Sequence, residues 1–148
     1  PDAEMYMCGD GGLRKDLETQ VDELEIGESV TFLGYMPYDE MPKVYRSGDV
    51  LVLPSRAEGV PRTVLEAMAS GIRVVVSELE HVVPVLGERD KVVDVTDQEA
   101  TSNAIVSGFD RRYGATEDGR ERIMNTHQWR ETVERTTEYL ELLRDNNL

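Results

Sequence analysis

The sequence has few cysteines, lysines and aromatic residues, and it has no long hydrophobic run. Its single cysteine, Cys8, excludes an internal disulfide and cannot form a metal cluster with other cysteines. Because Cys8 ends an apolar stretch, we expect it to be a small buried side chain. No apolar run approaches the roughly 18 residues of a membrane-spanning helix. The 148 residues are enough for one domain with a hydrophobic core.

Positive charge is also scarce, since 16 basic residues face 30 acidic ones and the net charge is -14. Only three of the basic residues are lysines, Lys15, Lys43 and Lys91. Such a field repels nucleic acid and anionic membranes, so no nucleic-acid partner is expected. Abundant, evenly spread acids with few lysines are typical of cytoplasmic proteins of salt-accumulating microbes. The sequence therefore indicates a halophilic cytoplasmic protein, with an acidic mesophilic domain as the alternative.

The opening residues, PDAEMYMCGDGG, have neither the basic region nor the apolar stretch of a signal peptide. They also lack an initial Met and lead directly into a strand-like run. We therefore expect the chain to be a piece of a longer protein.

Strand-like and helical patterns alternate along the chain, with short connections. Strands are predicted at 4–8, 29–34, 49–55, 72–77 and 91–95, and helices at 13–24, 38–48, 63–71 and 97–110, followed by one or two helices between 116 and 143. Asp97 suits a helix N-cap and Gly71 a helix end. This alternation predicts an α/β fold with a doubly wound parallel sheet and helices on both faces. Such sheets bind ligands at the carboxyl ends of their strands.

A glycine-rich turn follows the first strand in CGDGGLRKDLE. Gly9 and Gly11 match the start of a dinucleotide fingerprint, but Arg14 occupies the place of its third glycine. The next strand ends in FLGYM without an acid for a ribose hydroxyl, which argues against a dinucleotide site. A structural turn and a loop facing a phosphate or sugar both remain open readings.

Two glutamates mark the stretch SRAEGVPRTVLEAMASG. Glu58 lies in a loop after a central strand, and Glu66 lies eight residues beyond it in an otherwise apolar helix. A buried carboxylate without a partner is costly, so Glu66 implies a partner or a ligand. The helix begins near Arg62 and Thr63, and its free N–H groups suit a diphosphate. Two carboxylates that can bind hydroxyls, beside a helix end that can bind phosphates, would suit a nucleotide-sugar. The alternative is that one glutamate stabilises the helix dipole and the other is a buried structural residue.

The stretch DVLVLPSRAEGVPRTVLEAMASGIRVVVSE resembles the E-x7-E segment of retaining GT-B glycosyltransferases of family 4, also called group 1. The stretches YMCGDGG, VTFLGYM and TDQEATSNAI follow in that family's order, and so does a late pair of aromatics, Trp129 and Tyr139. The resemblance covers nearly the whole chain, 1–148, but only the Rossmann-like C-terminal half of such an enzyme. It implies that this half binds the nucleotide-sugar and that the N-terminal acceptor half is missing.

The resemblance implies a role for each matching residue. Glu58 would be the catalytic-site carboxylate at the donor sugar's hydroxyls, and Glu66 would bind the ribose. The other donor-binding residues would be Gly11, Gly12, Gly34, Tyr35, Gly59, Arg62, Thr63 and Val64. The amides from Arg62 to Val64 would hold the diphosphate, and the base would lie near Gly34 and Tyr35.

The implied reaction transfers a hexose, with retention, from a UDP- or GDP-sugar to a glycan or lipid-linked acceptor. The family usually needs no metal or other cofactor. Attack from the leaving-group face would use the diphosphate as base. We expect a cytoplasmic location, at the inner face of the membrane where the missing half makes peripheral contact.

Three departures from the family pattern are visible. The Arg and Lys that neutralise the diphosphate would lie upstream of Pro1, so the chain alone is expected to bind donor without turnover. Glu80, His81 and Pro84 replace a glycine-rich loop, which predicts a remodelled loop there. Arg73 stands where proline is usual, which reads as a minor change.

Two other functions fit the same motifs. The parent protein could be a non-catalytic GT-B binding or scaffold subunit, and an upstream Arg and Lys pair would argue against that. It could also be a GT-B-fold nucleotide-sugar epimerase, which would act on a UDP-sugar without an acceptor.

Overall fold

The computed structural model describes most of the chain. The described residues are 3–59, 61–88, 90–109, 117–126, 133–134, 137–138 and 141. Much of the tail predicted to be helical, with Trp129 and Tyr139, lies outside them. Among the helices that are described, none is long and apolar enough to cross a membrane.

The chain divides into two compact units, Pro1–Met41 and Pro42–Leu148. In the first, strand β1 (Met5–Cys8) pairs in parallel with β2 (Val30–Gly34), and helix α1 (Arg14–Glu23) connects them. These elements match the predicted ones within a few residues.

The prediction of a buried Cys8 is wrong, because the structure leaves its side chain exposed. Strand β1 belongs to a sheet of two strands in the described part of the chain. Three of its four side chains are exposed, which is too little cover for a core strand.

The second unit contains a parallel sheet of three described strands in the order β3, β4, β5. Its elements are α2 (Met41–Ser47), β3 (Val50–Leu53), α3 (Arg62–Ala69), β4 (Arg73–Ser77), β5 (Lys91–Val93), α4 (Gln98–Gly108) and α5 (Glu117–Thr126). Helix α3 connects β3 to its neighbour β4, which is the expected crossover between parallel strands.

The core of this unit lies around β4, whose five residues are all buried. Successive side chains of a strand point to opposite faces, so both faces of β4 are covered. Helix α3 contributes Val64, Ala67 and Met68, each fully buried. The run IRVVVS therefore behaves as predicted for a central parallel strand, and the predicted α/β class with parallel strands is confirmed.

The two predicted helix-end signals are also confirmed. The side chain of Asp97 accepts a hydrogen bond from the amide of Ala100 at 2.9 Å and caps α4. Gly71 has a φ of 82° after the end of α3, and its amide donates to the carbonyl of Met68 at 2.9 Å. The amide of Ile72 donates to Ala67 at 3.2 Å, which completes a Schellman motif.

Arg73 has a larger structural role than its place at a strand start predicts. Its side chain is buried, and Nη1 donates to the carbonyls of Ser107 at 3.2 Å and Gly108 at 2.8 Å. Those carbonyls lie in the last turn of α4, where a helix leaves its carbonyls without regular intrahelical partners. Arg73 therefore ties the start of β4 to the end of α4.

Candidate functional site

Glu58 is held in the loop after β3 by a short chain of hydroxyl contacts. The hydroxyl of Ser77, on β4, donates to the carbonyl of Ser55. The hydroxyl of Ser55 in turn donates to Oε1 of Glu58 at 3.0 Å. Because Ser77 is buried and Glu58 is exposed, the chain connects the sheet to an accessible carboxylate.

Glu66 is held from a different element. The hydroxyl of Tyr45, on α2, donates to Oε2 of Glu66 at 3.0 Å. The Nε of Arg62 lies 3.9 Å from the other oxygen, Oε1. The side chain of Glu66 keeps 26% exposure, while that of Arg62 keeps 78%. The partner that the sequence implied for this carboxylate is therefore Tyr45, and one side of Glu66 still faces solvent.

The start of α3 lies between the two glutamates. Pro61 is the N-cap, with φ -69° and ψ 120°, and its ring leaves the helix end without a side-chain acceptor. The amide of Val64 donates to the Pro61 carbonyl at 3.1 Å, so it is already engaged. The amides of Arg62 and Thr63 precede the first intrahelical bond and carry the positive end of the helix dipole. An anion would be stabilised there.

The glycines predicted to line the donor cleft belong to the first unit. The amide of Gly9 donates to the Gly34 carbonyl at 2.8 Å, so the turn after β1 lies beside the end of β2. The amide of Gly11 already donates a hydrogen bond to Oδ1 of Asp10 at 2.8 Å, so a ligand would have to compete with Asp10 for it. Gly34 has a φ of 69°, and the side chain of Tyr35 after it is 79% exposed.

Arg14, which stands in the place of the fingerprint's third glycine, contacts other side chains of the first unit. Its Nε lies 2.8 Å from Oε1 of Glu18, and its guanidinium lies 5.6 Å from the ring centre of Phe32. A Cβ on Gly34 would come within 3.2 Å of Nη1 of Arg14. Arg14 thus packs against the end of β2, which is consistent with a structural turn.

The predicted site residues fall into two sets, one in each unit. The second unit brings together the residues of the β3–α3 segment, which are Glu58, Gly59, Arg62, Thr63, Val64 and Glu66. The first unit holds Gly11, Gly12, Gly34 and Tyr35, and its Gly9–Gly34 hydrogen bond joins the start of the glycine turn to the end of β2.

Sequence reasoning missed Tyr45, Ser55 and Ser77. Each holds a predicted carboxylate or the loop that carries it, although none is charged. Tyr45 follows the helical spacing of a core side chain at 5% exposure, so the sequence gives no sign that its hydroxyl meets Glu66, 21 residues away. Ser55 follows β3 and Ser77 ends β4, so both resemble ordinary strand-end residues.

The loop predicted to be remodelled is anchored by apolar side chains. Leu79 and Val82 are buried, while Glu80 and His81 are exposed. In the part of the chain that the structure describes, no group of three or more His, Cys, Asp or Glu side chains is placed to hold a metal ion.

The second unit is therefore an α/β domain with a parallel sheet and a crossover helix, with Glu58 in the loop before that helix and Glu66 within it. The chain belongs to the glycosyl transferases group 1 family, whose model matches residues 1–114.

Relatives and solved structures agree with this assignment. The sulfoquinovosyl transferase SQD2 of Arabidopsis thaliana is 38% identical over 88 residues, which are 60% of this chain and 16% of that protein. A sucrose-phosphate synthase from Thermosynechococcus elongatus superposes with a TM-score of 0.83 at 25% identity, over 95% of this chain and 38% of that one.

Two further structures share the fold. Anabaena HepE in complex with UDP-glucose matches with a TM-score of 0.82 at 20% identity, over 95% of this chain and 41% of that one. The C-terminal domain of a group 1 glycosyl transferase, LpcC, from Francisella tularensis matches with a TM-score of 0.65 at 23% identity, over 79% of this chain and 63% of that one. The fold is that of the C-terminal half of GT-B enzymes, and the chain spans less than half the length of the full-length proteins it matches.

Proposed function

We propose that residues 1–148 form the donor-binding, C-terminal domain of a retaining group 1 glycosyltransferase. The parent enzyme transfers a hexose from a UDP- or GDP-sugar to a glycan or lipid-linked acceptor. The observation that carries this proposal is the β3–α3 segment, where Glu58 and Glu66 flank the open amino end of α3.

The amino end of α3, Glu66 and Glu58 are each proposed to bind a different part of the donor. The diphosphate lies at the amides of Arg62 and Thr63, where the helix dipole and the exposed Arg62 side chain both favour negative charge. The Val64 amide contributes less than the other two, because it already donates to Pro61 at 3.1 Å. Such a division matches the positive end of α3 to the most negative part of the donor.

The two carboxylates take the hydroxyl-bearing parts of the donor. Glu66 accepts hydrogen bonds from the ribose hydroxyls, since its side chain keeps 26% exposure and it lies in the second turn of α3. Glu58 accepts from the donor sugar's hydroxyls and is the residue assigned to the catalytic site. A carboxylate accepts from neighbouring hydroxyls more strongly than a neutral oxygen does, which suits both tasks.

The base and the cleft wall are assigned to the first unit. Gly34 and Tyr35 meet the base, and the Gly11–Gly12 turn leaves room for close approach of the donor. In the second unit, Gly59 leaves room in the same way. Support comes from the exposed Tyr35 ring and from the open space around the three glycines, where an added Cβ would meet no described atom within 4 Å.

The proposed reaction retains the anomeric configuration by same-face attack, with the leaving diphosphate as base, and needs no metal or other cofactor. This chain supplies Arg62 as a cation beside the diphosphate. Full neutralisation of the leaving group would need an upstream Arg and Lys pair, so residues 1–148 alone are proposed to bind donor without turnover.

The remaining partners follow from the missing acceptor half. An N-terminal GT-B domain would bind the glycan or lipid-linked acceptor and provide peripheral contact with the inner face of the membrane. The protein is assigned to the cytoplasm of a halophilic cell, on the support of a net charge of -14 with only three lysines. That charge gives no support to a nucleic-acid partner.

Isothermal titration of the chain with UDP-, GDP- and ADP-sugars tests donor binding. We expect weak binding of a UDP- or GDP-sugar in high salt, and its loss in Glu66→Ala. An Asp97→Ala variant is the control, because it weakens a helix cap in α4 and leaves the β3–α3 segment intact. Absence of binding to all three donors at low and high salt would contradict the proposal.

A further inference from the structure

Tyr45 makes a hydrogen bond to Glu66 that could not be predicted from its position in the sequence. It lies on α2 with 5% exposure, and its hydroxyl donates to Oε2 of Glu66 at 3.0 Å. The two residues come from different helices and are 21 positions apart. The bond is therefore a tertiary contact between a buried hydroxyl and a carboxylate of the proposed donor site.

The two carboxylate oxygens of Glu66 therefore have different neighbours. Oε2 faces the buried tyrosine hydroxyl, and Oε1 faces Nε of Arg62 at 3.9 Å, which is beyond hydrogen-bond distance. A glutamate side chain has three rotatable torsions and sweeps a wide volume when exposed. A hydrogen bond to one oxygen from a buried neighbour restricts the orientation of the carboxylate and so the direction of the other oxygen.

We propose that Tyr45 is a positioning residue for Glu66, which aims the carboxylate at the ribose hydroxyls of the donor. This inference rests on the function proposed above. Oε2 retains a second lone pair after accepting from Tyr45, so both oxygens can accept a ribose hydroxyl. The hydroxyl of Tyr45 acts through Glu66 and does not touch the donor.

A purely structural role would have a different signature. A buried tyrosine hydroxyl needs a partner, and Glu66 would satisfy that need whether or not a nucleotide binds. Removing the hydroxyl would then change stability alone, or would weaken every ligand of the domain equally. A positioning role instead weakens only ligands that carry ribose hydroxyls.

The test compares Tyr45→Phe with the unmodified chain in NMR titrations with UDP and GDP, each beside its 2′,3′-dideoxy form. We expect the better ribonucleotide to bind about tenfold more weakly to Tyr45→Phe, as for loss of a hydrogen bond to a charged group. Binding of its dideoxy form is expected to stay unchanged. The matched control is Tyr6→Phe, which removes another tyrosine hydroxyl bonded to a glutamate, Glu4, at 2.6 Å.

A double-mutant comparison tests the route of the effect. In a Glu66→Ala background, which removes the acceptor of the Tyr45 hydroxyl, Tyr45→Phe is expected to cause no further loss of UDP or GDP affinity. Equal weakening of the ribonucleotide and dideoxy forms, or unchanged ribonucleotide binding, overturns the role of Tyr45 while the proposed donor site stands. If the unmodified chain binds neither UDP nor GDP, the proposed function itself fails and this inference fails with it.

Discussion

At the scale of single residues, the two glutamates differ in how firmly the fold holds them. Glu66 is half-buried and bonded to a tyrosine on another helix, whereas Glu58 is exposed and bonded to Ser55 in its own loop. A fixed carboxylate suits the ribose proposed to contact Glu66, because UDP and GDP carry the same ribose.

Gly12 provides a prediction that separates ligand contact from protein packing. Its φ is not in the left-handed region, and a Cβ there would meet no described atom within 4 Å. Gly12→Ala should therefore leave the free energy of unfolding unchanged or raise it by about 0.5 kcal/mol. If the turn lies against the donor, the added methyl should weaken donor binding about tenfold, measured by calorimetry.

Gly27→Ala is the matched control for that measurement. Gly27 also lies in the first unit, outside the left-handed region and with open space at its Cβ position, but away from the proposed site loops. Donor affinity equal in Gly12→Ala and Gly27→Ala would show that the turn does not approach the donor.

Single residues also mark where sequence reasoning stops. The type and spacing of Glu58 and Glu66 were enough to predict a hydroxyl-binding pair, because a carboxylate in an apolar helix demands an explanation. The partners of these glutamates were not predictable, since Tyr45 and Ser77 reach them only through the tertiary fold. The prediction that Cys8 is buried was wrong for the same reason, because the burial of Cys8 depends on neighbouring strands and not on its own apolar run.

At the scale of elements, the structure follows local patterns closely. Alternating strand and helix runs, the Asp97 cap and the Gly71 end each have a short-range cause, and each was predicted from the sequence. Long-range side-chain bonds between elements were not. Arg73 links β4 to the end of α4, and the carboxyl of Asp90 accepts from the amides of Val74 at 3.0 Å and Gly87 at 2.8 Å.

Asp90 leads to a prediction about pH. Burial raises the pKa of its carboxyl above the ordinary 3.8, against the opposing effect of the two amide bonds and of Arg122 and Arg73. The folded state therefore holds this proton more tightly than the unfolded chain does. The contribution of Asp90 to the free energy of unfolding should therefore fall as pH rises from 3.8 through the pKa of the folded state. Above that pKa the carboxyl is ionised, and the full cost of burying its charge lowers the free energy of unfolding.

A carboxyl carbon NMR titration measures this directly. The midpoint of Asp90 should lie above 3.8. Asp94 is an internal control, because hydrogen bonds from the side chain and amide of Thr96 lower the pKa of its carboxyl below 3.8. A midpoint for Asp90 at or below that of Asp94 would contradict the structure.

At the scale of the whole molecule, charge is the dominant property. A net charge of -14 on 148 residues produces self-repulsion that opposes the compact state. It would also repel the proposed anionic donor, except at short range, where the helix dipole and Arg62 favour negative charge. Both effects weaken in salt, because the Debye length falls from about 10 Å at 0.1 M to about 3 Å at 1 M.

The thermal unfolding midpoint should accordingly rise with salt. Between about 0.1 M and 1 M KCl we expect an increase of at least about 3 °C, equivalent to about 1 kcal/mol. A variant carrying Asp16→Asn, Asp22→Asn and Glu23→Gln, three exposed acids near or on α1, should show a smaller increase. A midpoint that falls or stays constant in both chains would argue against the halophilic assignment.

The central claim is that the amino end of α3 and Glu66 together hold a nucleotide diphosphate sugar. The most direct test is an NMR titration of the chain with UDP-glucose and GDP-mannose in high salt. We expect amide shifts at Arg62, Thr63 and the Gly34–Tyr35 loop. These shifts should disappear in Glu66→Ala and persist in Asp97→Ala. Shifts confined to other surfaces, or equal shifts in Glu66→Ala and the unmodified chain, would contradict it.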